Sequence, residues 1–262
     1  KTQPVISFSR YCPMSELVDS STIVEGGRNS VLKSNSSGGR LSLNLTSGTV
    51  FNFATLTFVL DSIAYGVVDA VIASGYMQIG SVILSQENRQ DECVTKIYAN
   101  SSSSSCLIQQ CGDIPDSMQS SWVQLFLNHS ECKSCLILNG FHVAAYNSDL
   151  TLGGLRVLFT SSAPKETREK FNTFDHLETG NILSGCAAAV VCECEYRSLE
   201  AVVCVSMKGL SYSQEAAEMF NQISTQIEEY LAVSLTMSEK NGLHSKMIKS
   251  DQFLSRTENM YI

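Results

Sequence analysis

Apolar and polar positions alternate along the chain in blocks whose lengths are typical of strands and helices. Short apolar or β-branched runs that are bounded by Gly, Ser, Asn or Pro indicate strands. Residues 77–84 fit either a helix or a strand, because their periodicity does not separate the two. The runs predicted as strands are 48–59, 67–73, 94–98, 106–110, 136–143 and 199–205.

Three further segments have features of helices. The first begins after Pro115 and is amphipathic. The second, 178–196, is small and apolar along much of its length, and the third, 213–235, is long and amphipathic with Ser213 as its N-cap. The apolar positions are Met118, Trp122, Leu125 and Phe126 in the first helix, and Ala216, Met219, Phe220, Ile223, Ile227, Tyr230 and Leu231 in the third. A small-residue helix, a buried strand and a long helix in this order predict an α/β fold.

The polar stretches divide the chain into three parts. Residues 1–47 are rich in Ser, Gly and Asn, which predicts a loop or a partly disordered segment. Residues 48–237 form the α/β domain, in which 146–174 is predicted to be an irregular surface segment. Residues 238–262 are polar except at their end and predict a flexible tail.

Charge and hydropathy limit the classes of partner. The chain has 262 residues, a net charge of −8 and a hydrophobic share of 44%. Nucleic-acid binding depends on clustered Lys and Arg, so this balance predicts no nucleic-acid partner. Apolar runs such as 67–72 are too short to span a bilayer, so no membrane partner is predicted.

Ten cysteines bear on the compartment. Most lie in apolar runs, where reduced cysteine behaves as a small hydrophobic residue. This favours free thiols in the cytoplasm, with the nucleus as an open alternative. Sequons at Asn35, Asn44, Asn100 and Asn128 support a different interpretation, a secreted and glycosylated binding module with disulfides. Because the chain is rich in serine, chance matches to the sequon are expected, which favours the first interpretation.

Motifs for catalysis or metal binding are weak. Cys132 and Cys135 form a CxxC, which suits a redox pair or half of a zinc site. A closed zinc site needs four ligands, and Cys192 and Cys194 give only a CxC whose members point to different faces of a helix. Glycines in 179–186 support an enzymatic alternative, a phosphorylase-like or hydrolase domain with an anion at a helix start. Because no nucleophile elbow, P-loop or dinucleotide motif accompanies them, we predict no catalytic residue, cofactor or metal.

The C-terminus carries the strongest candidate for a binding site. Its last three residues are Met260, Tyr261 and Ile262, an apolar residue, a tyrosine and a variable residue that bears the terminal carboxylate. A polar segment precedes them and can carry them away from the domain. We therefore predict that these three residues bind a protein.

This ending is the HbYX motif of proteins that dock on the proteasome α-ring, and with it the chain resembles the proteasome assembly chaperone 1 family. The resemblance covers about residues 65–262, apart from a gap around 147–170. The similar segments are Val68 to Gly80, Cys106 to Trp122, Cys132 to Tyr146, Gly185 to Val190, Leu199 to Val205 and the helix from Ser213.

The resemblance implies a three-layer α/β/α sandwich similar to nucleoside phosphorylases but without their chemistry. It also implies a heterodimer with a second, homologous chaperone and no cofactor. Such a pair caps the outer face of the forming α-ring, guides its assembly, opposes off-pathway association of α-rings and blocks premature binding of activators. Met260, Tyr261 and Ile262 would insert into a pocket between neighbouring α-subunits, and the chain would not be an enzyme.

Overall fold

The computed structural model describes residues 31–36, 39–46, 49, 51–60, 65–86, 90–100, 104–142, 155–208 and 224–234. These residues contain ten strands and five α-helices. The strands are β1 Val31–Ser36, β2 Gly39–Leu45, β3 Thr55–Val59, β4 Met77–Ser85, β5 Glu92–Ala99, β6 Ser105–Gln110, β7 Ser134–His142, β8 Leu155–Phe159, β9 Asp175–His176 and β10 Glu200–Lys208. The helices are α1 Tyr65–Ala73, α2 Gln119–Leu127 with a 3-10 turn at Asp116–Met118 before it, α3 Lys165–Lys170, α4 Gly185–Tyr196 and α5 Ser224–Leu231.

All the described strands belong to one mixed sheet, in the order β1-β2-β4-β5-β6-β3-β7-β10-β8-β9. The four central strands β6, β3, β7 and β10 run parallel to one another. Antiparallel pairs extend the sheet on both sides, from β6 through β5, β4 and β2 and from β10 to β8. The register places Ser105, Thr55, Ser134 and Glu200 next to one another where the parallel strands begin. This side of the sheet is called the amino edge below.

Helices cover both faces of the sheet. Helices α2 and α4 bury their apolar side chains on one face, and α1 and α5 do so on the other. Strand β10 contributes to both faces, because alternate side chains of a strand point in opposite directions. Ala201, Val203 and Val205 lie in the core under α2 and α4, whereas Val202 and Cys204 lie in the core under α1 and α5. The predicted three-layer α/β/α sandwich is confirmed.

Trp122 is the largest side chain in the core under α2 and α4. It is fully buried, and its ring meets those of Phe58 in β3 and Phe126 in α2 edge-on, with centroids 5.8 and 5.2 Å away. The indole Nε1–H donates a hydrogen bond to Thr95 Oγ1 in β5 over 2.8 Å. Because Thr95 is also buried, this bond satisfies two polar groups that water does not reach. Trp122 therefore joins α2 to two strands of the sheet.

Most of the predicted elements are present. The helix after Pro115 is confirmed, and its four predicted apolar positions are buried. The small-residue helix is confirmed as α4, and residues 77–84, left open between helix and strand, lie in strand β4. The third helix is described from Ser224 onward, so its predicted N-cap Ser213 lies outside the described residues. The confirmed strands are β5, β6, β7 and β10, together with β3 inside the predicted run 48–59.

The prediction of a strand at 67–73 is wrong, because these residues lie in helix α1. Val67, Val68 and Val71 are buried, while Asp69 and Ile72 are exposed. This spacing is that of one helix face rather than of a strand. A short apolar run does not by itself distinguish a buried strand from a buried helix, which is why the pattern was misleading.

The prediction of a loop or disordered segment over 1–47 is wrong for its described residues. Strand β1 pairs with β2, and β2 pairs with β4, so both belong to the sheet. In β2, Leu41, Leu43 and Leu45 are buried and alternate with half-buried polar residues. Cross-strand pairing and burial of these leucines outweigh the Ser- and Asn-rich composition. The domain boundaries at 47/48 and 237/238 stay predictions, although the sheet begins before residue 48.

The irregular surface segment predicted at 146–174 is also wrong in its described part. Residues 155–159 form strand β8, which pairs with β10, and 165–170 form helix α3. Leu155 and Val157 are buried in the core under α1 and α5. Among the described residues, no helix has the length and apolar character needed to cross a membrane.

Strand β8 also buries a charge. The Arg156 side chain is only 5% exposed, and its Nε lies 3.1 Å from Glu178 Oε1. A second carboxylate, Asp175 Oδ2, lies 3.6 Å from Arg156 Nη1 but is 82% exposed. A buried guanidinium depends on its partner, because removal of that partner leaves a charge with little solvation. Glu178 is therefore the partner that matters for stability.

We expect Glu178→Gln to lower the free energy of unfolding by about 2 kcal/mol, which is less than for a fully buried pair because Glu178 is partly exposed. The matched control is Asp175→Asn, for which we expect less than about 1 kcal/mol. Urea unfolding with an unchanged m-value measures both. Equal effects of the two substitutions would show that burial of Arg156 does not depend on Glu178.

Candidate functional site

The predicted binding residues Met260, Tyr261 and Ile262 lie outside the described residues, so their role stays a prediction. The structure describes instead the base from which the C-terminal segment starts, helix α5 and residues 232–234. Ile227 and Leu231 of α5 are buried in the core that α5 shares with α1. The base is thus part of the folded domain.

Two tyrosines join α5 to the rest of the domain. Tyr76, which precedes β4 and is 2% exposed, donates its hydroxyl hydrogen to the carbonyl of Leu231 at the end of α5. Tyr230 donates to Glu200 Oε1 over 3.0 Å, and Glu200 is the first residue of β10. Helix α5 therefore ends near the amino edge of the sheet.

Glu200 joins three elements at the amino edge. Its Oε1 also accepts a hydrogen bond from Thr167 Oγ1 in α3 over 2.7 Å. Burial raises the pKa of Tyr230, and the Glu200 carboxylate raises it further. The phenol therefore stays protonated and remains a hydrogen-bond donor at ordinary pH. An ion pair between Lys170 and Glu229 adds a second link between α3 and α5.

A cluster of thiols lies on the opposite face of the sheet, at the same edge. Cys132 Sγ and Cys135 Sγ are 3.5 Å apart, and Cys135 also shares a hydrogen bond with Cys194 of α4. Cys135 and Cys194 are fully buried, whereas Cys132 is half-buried. The hydrogen bonds from Cys135 to Cys132 and Cys194, together with burial, raise the pKa of Cys135. Cys132, Cys135 and Cys194 are called the thiol cluster below.

Cys132 differs from its neighbours in the thiol cluster. The hydrogen bond from Cys135 lowers the pKa of Cys132, although burial opposes this effect. Backbone hydrogen bonds with Ser134 and Leu56 and the positive charge of Arg197 lower the pKa further. The protonated thiol can also donate to the Ser134 carbonyl, 3.4 Å away. These effects make the thiolate, which is the nucleophilic form of cysteine, more accessible to Cys132 than to an unperturbed cysteine.

The thiol cluster is not arranged as a metal site. Over the described ranges, no group of three or more His, Cys, Asp or Glu side chains could hold a metal ion. The CxC contributes Cys194 alone, because residues two apart on a helix face different directions, and Cys192 is only half-buried. No disulfide joins any of the cysteines in the described part of the chain.

The start of α4, where the sequence allowed an anion cradle, lies near a carboxylate rather than a basic side chain. Burial raises the pKa of Cys186 to about 12, and the nearby Asp116 carboxylate contributes to this shift. A carboxylate at this position repels an anion, and residues 179–186 include no Lys or Arg to offset it. The cap residue Ser184 makes no side-chain hydrogen bond to the helix. The enzymatic alternative gains no support from this region.

The hydrogen-bond partners at the amino edge were not identified from the sequence. Tyr76 and Leu231 are separated by 155 residues, and Tyr230 and Glu200 by 30. No local spacing marks such contacts, because they arise only when the sheet brings the start of β4, the start of β10 and helix α5 together. The CxxC was identified, but its hydrogen bond to Cys194 was not.

Several solved structures have a similar fold. One is a protein of unknown function from Thermoplasma acidophilum, with a TM-score of 0.56 and 12% identity over 80% of this chain and 91% of that chain. Another is Pyrococcus furiosus PbaB, an archaeal proteasome activator, with a TM-score of 0.54 and 11% identity over 83% of this chain and 98% of that chain. A third is Pyrococcus furiosus PbaA, an archaeal homolog of proteasome-assembly chaperone, with a TM-score of 0.52 and 14% identity over 82% of this chain and 99% of that chain.

Sequence comparison adds no relative to these structures. No protein-family model matches the chain, and no curated protein matches it. Identities of 11–14% with the Pyrococcus proteins establish a common fold alone. A fold can host unrelated functions, so the function of this chain depends on its own residues.

Proposed function

We propose that this chain is an assembly chaperone of the 20S proteasome, acting in the cytoplasm with a second, homologous chaperone. In this proposal it binds the outer face of the α-ring and inserts Met260, Tyr261 and Ile262 into a pocket between neighbouring α-subunits. The observation that carries the proposal is a combination, an HbYX ending on a chain whose fold is similar to those of PbaA and PbaB. The fold alone would leave the function open, and three residues alone can occur by chance.

The chemistry of the triplet suits such a pocket. The carboxylate of Ile262 can pair with a lysine, a charge-assisted bond that contributes about 1.5–3 kcal/mol. The Tyr261 ring provides apolar area, and its hydroxyl fixes the orientation of the tail. Met260 adapts to an irregular apolar wall and contributes about 1.5–3 kcal/mol when it is fully buried.

The triplet alone should bind weakly, because association costs about 4–15 kcal/mol of lost translational and rotational freedom. Contacts of the folded domain and of the second chaperone must supply the remaining affinity. Once the domain is bound, the tail is held at a high effective concentration next to the pocket. This arrangement allows tight binding to a forming ring and release when the outer surface of the ring changes.

The base of the tail is suited to this role. Tyr76 and Tyr230 hold the end of α5 at the amino edge of the sheet. Residues 235–262 span at most roughly 90–100 Å when extended, at about 3.3–3.6 Å per residue. The triplet can therefore reach a pocket beyond the surface that the domain covers. A tail that occupies the pocket also excludes activators that use the same motif, which accounts for the proposed block of premature activation.

An assembly experiment with purified components tests the proposal. The full-length chain, with and without its homologous partner, is mixed with separately purified α-subunits, and native mass spectrometry follows the products. We expect complexes that contain the chain and several α-subunits, and faster ring formation than without it. An acidic protein of similar size is the control. If α-subunits assemble at the same rate and never carry the chain, the proposal is wrong.

A further inference from the structure

The CxxC pair of the thiol cluster is placed for reaction. The sulfur atoms of Cys132 and Cys135 are 3.5 Å apart. To form a disulfide bond they must come closer, by a distance shorter than the one that a cysteine sulfur moves between rotamers. Cys132 is half-buried and Cys135 is fully buried. A reagent from solvent therefore meets Cys132 first, and Cys135 is available only to Cys132 and its other neighbours in the protein.

The loop that carries the pair is fixed by bonds to the segment before β3. The backbone N–H of Lys133 donates to the Ala54 carbonyl over 2.8 Å, and that of Glu131 donates to Asn52 Oδ1 over 3.0 Å. Cys135 itself lies in β7, between β3 and β10. The two sulfurs are thus held near each other by the backbone, as a dithiol requires if it is to close without a large rearrangement.

The hydrogen bond from Cys135 and the positive charge of Arg197 both lower the pKa of Cys132. Arg197 is the cation that lowers the pKa of Cys132, and its Nη2 lies 2.6 Å from Glu193 Oε1 and 2.5 Å from Asn128 Oδ1. Cys135 is the nearest titratable neighbour and donates a hydrogen bond to the sulfur of Cys132. The buried thiol of Cys106 lies nearby and has its own pKa raised by burial and by Cys132.

From this geometry we propose that Cys132 and Cys135 are a redox pair, which low-molecular-weight disulfides such as oxidised glutathione convert to an intramolecular disulfide. The Cys132 thiolate attacks one sulfur of the small disulfide, forms a mixed disulfide and releases one small thiolate. Cys135 loses its proton, attacks Cys132 Sγ and releases the second small thiolate. Two protein thiols are oxidised and one small disulfide is reduced to two thiols, so the electrons balance.

A second thiol pair in the chain is a natural comparison. Cys93 of β5 and Cys111, which follows β6, share a hydrogen bond and are both exposed. Burial and the neighbouring Cys93 raise the pKa of Cys111 to about 11. Exposure thus favours oxidation of this pair, whereas thiolate character favours oxidation of Cys132 with Cys135.

Alkylation at increasing pH tests whether Cys132 is the attacking thiol. Because iodoacetamide reacts with the thiolate, we expect Cys132 in the folded chain to be labelled at lower pH than Cys111. In urea the difference should disappear, since the hydrogen bonds that cause it are lost. Labelling of Cys132 and Cys111 over the same pH range in the folded chain would contradict the assignment of Cys132 as the attacking residue.

The redox reaction is tested on the reduced full-length chain. The chain is equilibrated with mixtures of oxidised and reduced glutathione, quenched with acid, alkylated and digested, and mass spectrometry locates each disulfide. We expect a peptide with Cys132 linked to Cys135 and a loss of two hydrogens, reversed by excess reduced glutathione. If both cysteines remain reduced under conditions that oxidise Cys93 and Cys111, or if glutathione stays attached to Cys132, the proposal is wrong.

Two variants separate the attack of Cys132 on the small disulfide from the attack of Cys135 on the mixed disulfide. Cys135→Ser removes the resolving thiol, so the mixed disulfide on Cys132 should accumulate. Cys132→Ser should abolish both the mixed disulfide and the intramolecular disulfide at this site. Because Cys132 is half-buried, the second variant can be made without opening the core, and its circular dichroism spectrum checks the fold. Glutathione bound to Cys135 in the Cys132→Ser variant would contradict the order of attack.

Discussion

Replacement of Trp122 by alanine is expected to lower the free energy of unfolding by about 3–5 kcal/mol, the largest effect of any single substitution considered for this chain. The indole is fully buried and contacts two aromatic rings, so its removal leaves a cavity that the sheet cannot close. It also leaves the buried hydroxyl of Thr95 without its Nε1–H donor. Such a loss is a large part of the stability of a typical domain.

Trp122→Phe is the matched control for this prediction. It keeps an aromatic ring between Phe58 and Phe126 but removes the hydrogen bond to Thr95, so we expect a smaller loss, about 1–3 kcal/mol. Equilibrium unfolding in urea measures both variants, with the m-value as a check that the transition is unchanged. A loss of less than about 1 kcal/mol in the alanine variant would contradict the packing described for α2.

Deletion of Met260 to Ile262 is expected to weaken binding to α-subunits by at least about 2 kcal/mol, or about thirtyfold in Kd. The deletion removes an aromatic anchor, an apolar residue and a terminal carboxylate in one step. Because the triplet is far in sequence from the described domain, the stability of the domain should not change. Titration by interferometry with immobilised α-subunits gives the two dissociation constants.

Changes to single groups show how each part of the triplet contributes to this loss of affinity. Tyr261→Phe keeps the ring and removes only the hydroxyl, so it should retain most of the affinity that Tyr261→Ala loses. Amidation of the Ile262 carboxylate removes the terminal charge alone and should weaken binding independently of the ring. Equal affinities for the full-length chain and the deleted chain would show that the triplet makes no contact that matters.

Local pattern was sufficient where one feature determined the structure. In α2, Trp122, Leu125 and Phe126 recur at helical spacing, and the structure buries all three. In β10 the continuous apolar run follows from burial on both faces, which also requires helices on both sides of the sheet. The α/β class and most of the central strands could therefore be derived from the chain itself.

The hydrophobic pattern did not predict the elements whose composition or length fits more than one structure. The run at 67–73 is too short to distinguish a strand from a helix, and the exposure of Asp69 and Ile72, which marks the solvent face of α1, is not evident from the sequence. In β2 the alternation of Leu41, Leu43 and Leu45 was present, but Ser and Asn between them concealed it. Strand β8 contains Arg156, a charge that local rules place at the surface and that Glu178 allows to be buried.

The candidate site also has features that the local sequence identifies and contacts that it does not. The HbYX ending and the CxxC could be identified because each lies within four consecutive residues or fewer. The contacts that define their surroundings could not, since they join residues far apart in the chain, such as Tyr76 with Leu231 and Cys135 with Cys194. Such pairs depend on the order of strands in the sheet, which no local spacing encodes.

Photo-crosslinking from position 261 tests the central claim most directly. A benzoylphenylalanine in place of Tyr261 keeps an aromatic ring at that position, and the labelled chain is irradiated in complex with α-subunits. The proposal predicts crosslinks to two neighbouring α-subunits, located by mass spectrometry on the walls of one pocket between them. Crosslinks confined to the chain's own domain, with none to any α-subunit in a complex that has formed, would contradict it.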